Sequence, residues 1–87
     1  MNTIIIYDVK EKKVVKIHKL LKRYLYWIQN SVFEGDLTDG KYQELKIEIK
    51  KLINKEEDSV ISFRIPDSIE IKKEIIGLEK NEPTNIL

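Results

Sequence analysis

The 87 residues combine 41% hydrophobic with 36% charged side chains, which fits one soluble domain and excludes a multidomain enzyme, because chains usually exceed about 150 residues before dividing. Sixteen Lys and Arg against fifteen Asp and Glu leave a formal charge of +1, so only a local cluster of charge could draw the chain onto a polyanion. Zero cysteines exclude a disulfide framework, a thiolate zinc site and a cysteine nucleophile, and one histidine excludes a multi-histidine metal site within a single chain.

Residues 2–7 contain Ile4-Ile5-Ile6 without polar alternation, the pattern of a central strand covered on both faces. The strand ends at Asp8. From residue 11 to about residue 26 the period changes, and Val14, Ile17, Leu21, Tyr24, Leu25 and Ile28 fall on one helical face. The other face carries Lys12, Lys16, Lys19 and Arg23 as a continuous basic stripe. Residues 10–23 hold seven bases and one acid, Glu11, an excess of six. The remaining nine bases and fourteen acids sum to minus five, so the near-neutral total conceals a dipolar chain.

Residues 27–37, aromatic and β-branched but broken by Asn30-Ser31 and Gly35-Asp36, read as one kinked strand or two short paired ones. Thr38 is a candidate N-cap for a second helix with Tyr42, Leu45, Ile49, Leu52 and Ile53 at helical spacing and Asn54 as its stop. In residues 59–65, Ile61, Phe63 and Ile65 alternate with Ser62 and Arg64, a strand that Pro66 closes. Residues 69–78 fit either a short strand or a helical turn, broken at Gly77. The polar tail, residues 79–87, ends in Ile86 and Leu87, two aliphatics that one small core need not accommodate. This order predicts an α+β, ferredoxin-like βαββαβ sandwich over residues 1–78, with two helices on one face of an antiparallel sheet. A domain this small buries only about 60% of its unfolded surface, which favours a homo-oligomer. No run approaches the roughly 20 apolar residues of a membrane span, so the expected location is the cytoplasm, away from any membrane.

Several residues could carry chemistry, and each has a plainer reading beside it. Asp8 leaves a rigid strand at its carboxyl end, where it could hold a cation or simply cap the next turn. A lone carboxylate suits Mg²⁺ poorly, and becomes credible if symmetry brings two together. Tyr7 beside it is a half-buried packing residue or part of the site. The run of Lys10, Lys12, Lys13, Lys16, Lys19 and Arg23 is a solvated face or a phosphate contact; its lack of interleaved acids favours phosphate more than a merely soluble helix would. His18 reads as boundary packing, not a base. Glu34 and Asp36, flanking Gly35, could be paired carboxylates or turn residues. Tyr24, Tyr26, Trp27 and Phe33 are core, interface or stacking platforms.

Ile4-Ile5-Ile6-Tyr7-Asp8-Val9, the basic helix, the block Trp27-Ile28-Gln29-Asn30-Ser31-Val32-Phe33-Glu34-Gly35-Asp36-Leu37-Thr38 and the later Glu57-Asp58-Ser59-Val60 resemble the CRISPR-associated "Cas two" proteins. These are small dimeric partners of the spacer-acquisition integrase, described as endoribonucleases. The resemblance spans residues 2–78. It implies a symmetric homodimer with an extra C-terminal strand, at residues 75–78 or in the Ile86-Leu87 tail, that adds to the partner's sheet or docks on the integrase. It also implies that Asp8 is the catalytic carboxylate and coordinates Mg²⁺ near the dimer axis, with Tyr7, Ser31 and Phe33 shaping the site. Where many members carry arginines after the Tyr-Asp turn this chain has Lys12 and Lys13, and Trp27 stands where several carry Arg. Lysine keeps phosphate attraction but lacks the bidentate fork. Two functions are therefore expected: a Mg²⁺-dependent endonuclease acting on duplex DNA or single-stranded RNA, or a non-catalytic scaffold of spacer acquisition. In the scaffold, Lys12, Lys13, Lys16, Lys19 and Arg23 hold duplex DNA for the integrase.

Overall fold

A computed structural model of the chain describes residues 1–80. Six elements follow in order: β1 (Asn2–Asp8), α1 (Glu11–Lys22), β2 (Tyr26–Gln29), β3 (Val32–Asp36), α2 (Asp39–Leu52) and β4 (Ser59–Ile65). The sheet order is β2-β3-β1-β4 with every neighbouring pair antiparallel, the βαββαβ arrangement expected from the sequence. None of the described helices is long and apolar enough to cross a membrane.

The period of α1 is predicted to run to residue 26, but the helix ends at Lys22. The Leu25 N–H still donates to the Leu21 carbonyl at 2.8 Å, and the chain then turns into β2, taking Ile28 from the helical stripe into the sheet. Tyr26, Trp27 and Ile28 are residues whose bulk suits a pleated surface better than a helix. The break in residues 27–37 falls at Asn30-Ser31, a two-residue connection between paired strands. Asn30 takes φ 45° there, a left-handed conformation that asparagine tolerates better than most side chains. Gly35 of β3 lies close under Leu25, where a Cβ would stand 3.0 Å from Leu25 Cδ2 and push that side chain aside by a few tenths of an ångström. Thr38 caps α2 as predicted, its hydroxyl accepting from the Lys41 N–H at 3.2 Å.

One face of the sheet carries both helices. Thr3, Ile5 and Tyr7 of β1 and Phe33 of β3 meet Ile17, Leu20 and Leu21 of α1 and Leu45 and Ile49 of α2 to form the core. The expectation that β1 is covered on both faces holds for only one of them. Ile4 pairs across with Phe63 and Ile6 with Ile61, and Ile61 and Phe63 are 50% and 51% exposed. The polarity of β4 is thus reversed relative to a strand packed once: its large apolar side chains face outward and Arg64 faces the core.

Arg64 is accommodated inside because every part of its guanidinium is engaged. Nη1 donates to Asp39 Oδ1 at 2.8 Å, Nη2 to the Leu37 carbonyl at 2.5 Å and Nε to Thr3 Oγ1 at 3.3 Å. The group also lies 4.4 Å from the centre of the Tyr42 ring. It ties β4 to β1 and to the entry of α2. Beyond β4, residues 66–80 contain no helix or strand, so the extra strand expected at residues 75–78 does not join this protomer's own sheet. These residues run beside Ile28 and Gln29 of β2, and Lys73 Nζ donates to Glu34 Oε1 at 2.7 Å. Ile86 and Leu87 lie outside the described residues.

Replacing Arg64 with Ala removes three hydrogen bonds and the packing of the guanidinium on the Tyr42 ring. Urea unfolding is expected to show a loss of about 2–3 kcal/mol; a change under about 0.5 kcal/mol, the size typical of a surface site, would mean the guanidinium network does not hold β4.

Candidate active site

Alternation along β1 decides what stands at its carboxyl end. Tyr7 points to the helices and is buried, whereas Asp8 shares the open face with Ile4 and Ile6 and is exposed. Asp8 pairs in register with Ser59, and on the other side the Tyr7 N–H donates to the Ser31 carbonyl at 3.2 Å. Asp8 is therefore held by β4 on one side and follows directly on Tyr7, the last residue held on both. Among the described residues nothing hydrogen-bonds or pairs with its carboxylate. It does not cap α1 either, whose first turn receives no side-chain cap from residue 10.

The capping work falls to Asp58, a residue the sequence offers only within the Glu-Asp-Ser-Val block. Its carboxylate is fully buried. Oδ1 accepts the Lys10 N–H at 2.9 Å, and Oδ2 accepts the Asn54 N–H at 2.8 Å and the Lys13 ammonium at 2.5 Å. The Asn54 amide foremost, then Lys13 and Lys10, hold its pKa down to about 2 from an ordinary 3.8. Hydrogen bonds to the ionised form explain the direction, since protonation would break them. No period marks this role for Asp58; Asn54 is local, but Lys13 and Lys10 lie 45 and 48 residues away along the chain.

The structure separates the predicted site residues into groups. Lys13 is withdrawn from the basic stripe, because its ammonium sits between Asp58 and Glu57, at 2.5 and 3.0 Å, and this raises its pKa. Lys12, Lys16 and Lys19 stay exposed and engage no acid among the described residues. Arg23 follows at the end of α1, 5.8 Å from the Tyr24 ring centre. Tyr7 and Phe33 stack at 6.4 Å within the core, on the side of the sheet away from Asp8. They support the strand from beneath and line neither the Asp8 carboxylate nor an outer interface. Ser31 does sit beside the end of β1, through its carbonyl.

The remaining candidates have structural partners. His18 packs edge-on to Phe33 and Trp27 at 5.0 and 5.8 Å, and burial, then Lys22, lowers its pKa, as boundary packing requires. Trp27 donates its indole N–H to the Asn30 carbonyl at 3.0 Å, bracing the hairpin. Glu34 and Asp36 lie on a strand, not a turn; Glu34 pairs with Lys73, and Asp36 with the Met1 amino group at 2.9 Å.

No group of three or more His, Asp or Glu side chains able to hold a metal forms among the described residues. Asp8 supplies one hard, unpaired oxygen donor set per protomer. That fits Mg²⁺ as half of a shared site, because the ion accepts one or two carboxylates and fills its other positions with water and phosphate oxygens.

Comparison with known proteins gives a consistent result. The family model for CRISPR associated protein Cas2 matches residues 1–70. A CRISPR-associated endoribonuclease Cas2 of Thermotoga maritima is 49% identical over 83 residues, which cover 94% of each chain. One from Thermodesulfovibrio yellowstonii is 44% identical over 84 residues, covering 97% of this chain and 96% of the relative. A crystal structure of Cas2 superposes with a TM-score of 0.81 at 38% identity, covering 94% of this chain and 92% of the other. Streptococcus pyogenes Cas2 shares the fold, with a TM-score of 0.71 at 24% identity, over 84% of this chain and 100% of that one.

The depressed pKa of Asp58 sets a pH dependence. The folded state binds its proton less readily than the unfolded chain, so the stabilisation is complete above about pH 4 and is lost as the pH falls toward about 2. Thermal unfolding of the native chain is expected to show this decline between pH 4 and 2. Asp58→Asn should start roughly 10 °C lower at pH 7 with a flatter profile across that window; a parallel decline in both proteins would assign the acid sensitivity to other groups.

Proposed function

The chain belongs to the CRISPR-associated protein Cas2 family, and on that premise we propose that it is a homodimeric, Mg²⁺-dependent endoribonuclease of CRISPR adaptation that also binds duplex DNA with the spacer-acquisition integrase. The observation that supports this reading most directly is Asp8. Its carboxylate stands at a strand end paired with β4 and has no partner among the described residues, whereas the carboxylate of nearby Asp58 is wholly consumed by structure. An exposed carboxylate held rigidly and left unused suits an external ligand.

Homodimerisation is supported by the outward face of the sheet. Ile4, Ile6, Ile61 and Phe63 form an apolar surface, and two such faces bury one another at the spacing of packed sheets. Asp8 lies on that same face at its margin, so a two-fold axis through it would bring two copies of the carboxylate toward one ion. When bound, Mg²⁺ would supply charge neutralisation at the attacked phosphate and a more acidic water. Asp8 of each subunit would hold it, and the lysines would hold the strand.

The DNA-binding part of the proposal draws on α1. Lys12, Lys16, Lys19 and Arg23 lie along a helix of 12 residues and its cap, a rise of about 18 Å, and the three lysines have no acidic partners among the described residues. Phosphate contacts of this kind position a duplex without reading its sequence. Residues 75–78 and the tail at 79–87, with Ile86 and Leu87, would reach the partner subunit or the integrase. A purely structural scaffold is the second reading. It is favoured by the single carboxylate per protomer, which leaves few groups to align a water.

Three measurements distinguish these parts. Asp8→Asn is expected to lower Mg²⁺-dependent RNA cleavage by about a hundred-fold or more while leaving duplex affinity intact; equal cleavage rates would leave the scaffold reading in place. Charge reversal at Lys16 and Lys19 should weaken duplex binding and reduce the salt dependence by about two phosphate contacts per protomer, and an unchanged salt slope would make the stripe a solvated face. Phe63→Glu should convert a dimer to monomers in small-angle scattering; a dimer of unchanged mass would place the interface elsewhere.

A further inference from the structure

The bonds made by Asp58 close a ring around the backbone that carries Asp8. Asp8 is paired with Ser59, the residue directly after Asp58. Two positions beyond Asp8, the Lys10 N–H enters the Asp58 carboxylate at 2.9 Å. The Lys10 carbonyl accepts the Lys13 N–H at 2.8 Å, and the Lys13 ammonium returns to the same carboxylate. Asp58 is itself fixed, because its N–H donates to the Asn54 carbonyl at 2.8 Å and its Oδ2 accepts the Asn54 N–H at 2.8 Å. Val9 packs partly against the core. The peptide leaving β1 is thus gripped on one side of Val9 by the sheet and on the other by a buried carboxylate.

We propose that Asp58 is the positioning residue of the Asp8 site: by holding Lys10 and Lys13 it fixes the direction in which the Asp8 carboxylate leaves the sheet. The inference rests on Asp8 being the metal ligand. With no side-chain partner of its own, Asp8 is oriented entirely by its backbone, and Lys10 is where that backbone would otherwise fray into the loop. A carboxylate that must meet an ion together with its symmetry copy tolerates little wander, since a displacement of about 1 Å in a reacting site can cost about a hundred-fold in rate.

The test uses the full chain, Mn²⁺ as a paramagnetic stand-in for Mg²⁺, amide hydrogen exchange, and RNA cleavage, in Asp58→Asn, Asp58→Glu and Glu57→Gln proteins. In Asp58→Asn, exchange at the amides of Val9 and Lys10 should rise while that of the central β1 amides holds. Mn²⁺ affinity and kcat should each fall by about ten-fold, with KM for RNA unchanged. Glu57→Gln, which leaves the Asp58 bonds intact, should match the native protein, and Asp58→Glu should recover part of the loss. Unaltered Mn²⁺ affinity and kcat in a folded Asp58→Asn dimer would overturn the proposal even if exchange rises. If that variant does not fold, Lys13→Met takes its place, with smaller losses expected in the same two readouts, and native values there would overturn it equally. Failure of the underlying reading is distinct: Asp8→Asn would then bind Mn²⁺ as the native protein does.

Discussion

The two-residue period of β1 is the constraint on which the rest of the molecule depends. Because β1 is paired on both edges, with β3 and β4, its register cannot drift, and alternation sends Thr3, Ile5 and Tyr7 to the helices and Ile4, Ile6 and Asp8 to the opposite face. A slip of one residue would bury the carboxylate and expose the tyrosine. The core, the open apolar face and the candidate metal ligand are consequences of one strand's pleat.

Two aspartates close to one another in space show how environment divides similar chemistry. The Asp58 side chain is buried and accepts three hydrogen bonds, so its charge is spent on joining the loop after α2 to the start of α1. Asp8 is exposed and has no partner among the described residues. A buried carboxylate without such partners would be costly, and an exposed one with them would have little left to offer a ligand. Lys13 belongs to the first arrangement and not to the basic stripe.

The outward face of the sheet joins the stability of the fold to its proposed activity. Arg64 occupies the inner side of β4 with each of its three guanidinium nitrogens hydrogen-bonded, while Ile61 and Phe63 stand on the outer side. In the proposed dimer, a second subunit would both cover this apolar face and bring a second carboxylate to its rim. The lysine stripe belongs to α1, which packs on the opposite face of the sheet.

Much of the fold was legible in the residue order. Ile4-Ile5-Ile6, the helical spacing of Val14, Ile17 and Leu21, the Thr38 cap and the Pro66 stop are local signals, and local signals survive in a linear string. The true end of α1 at Lys22 was obscured because Tyr24, Leu25 and Ile28 continue the helical period by chance while belonging to a turn and a strand. Asp8 stood out by its place after a hydrophobic strand, but whether it capped a helix or remained unused depended on a competitor 50 positions downstream. The roles of Asp58, Lys13 and Arg64, and the face to which Phe33 and Tyr7 turn, were settled only by tertiary structure. Each depends on contacts between segments distant along the chain, and periodicity reports which residues share a face without reporting what that face will meet.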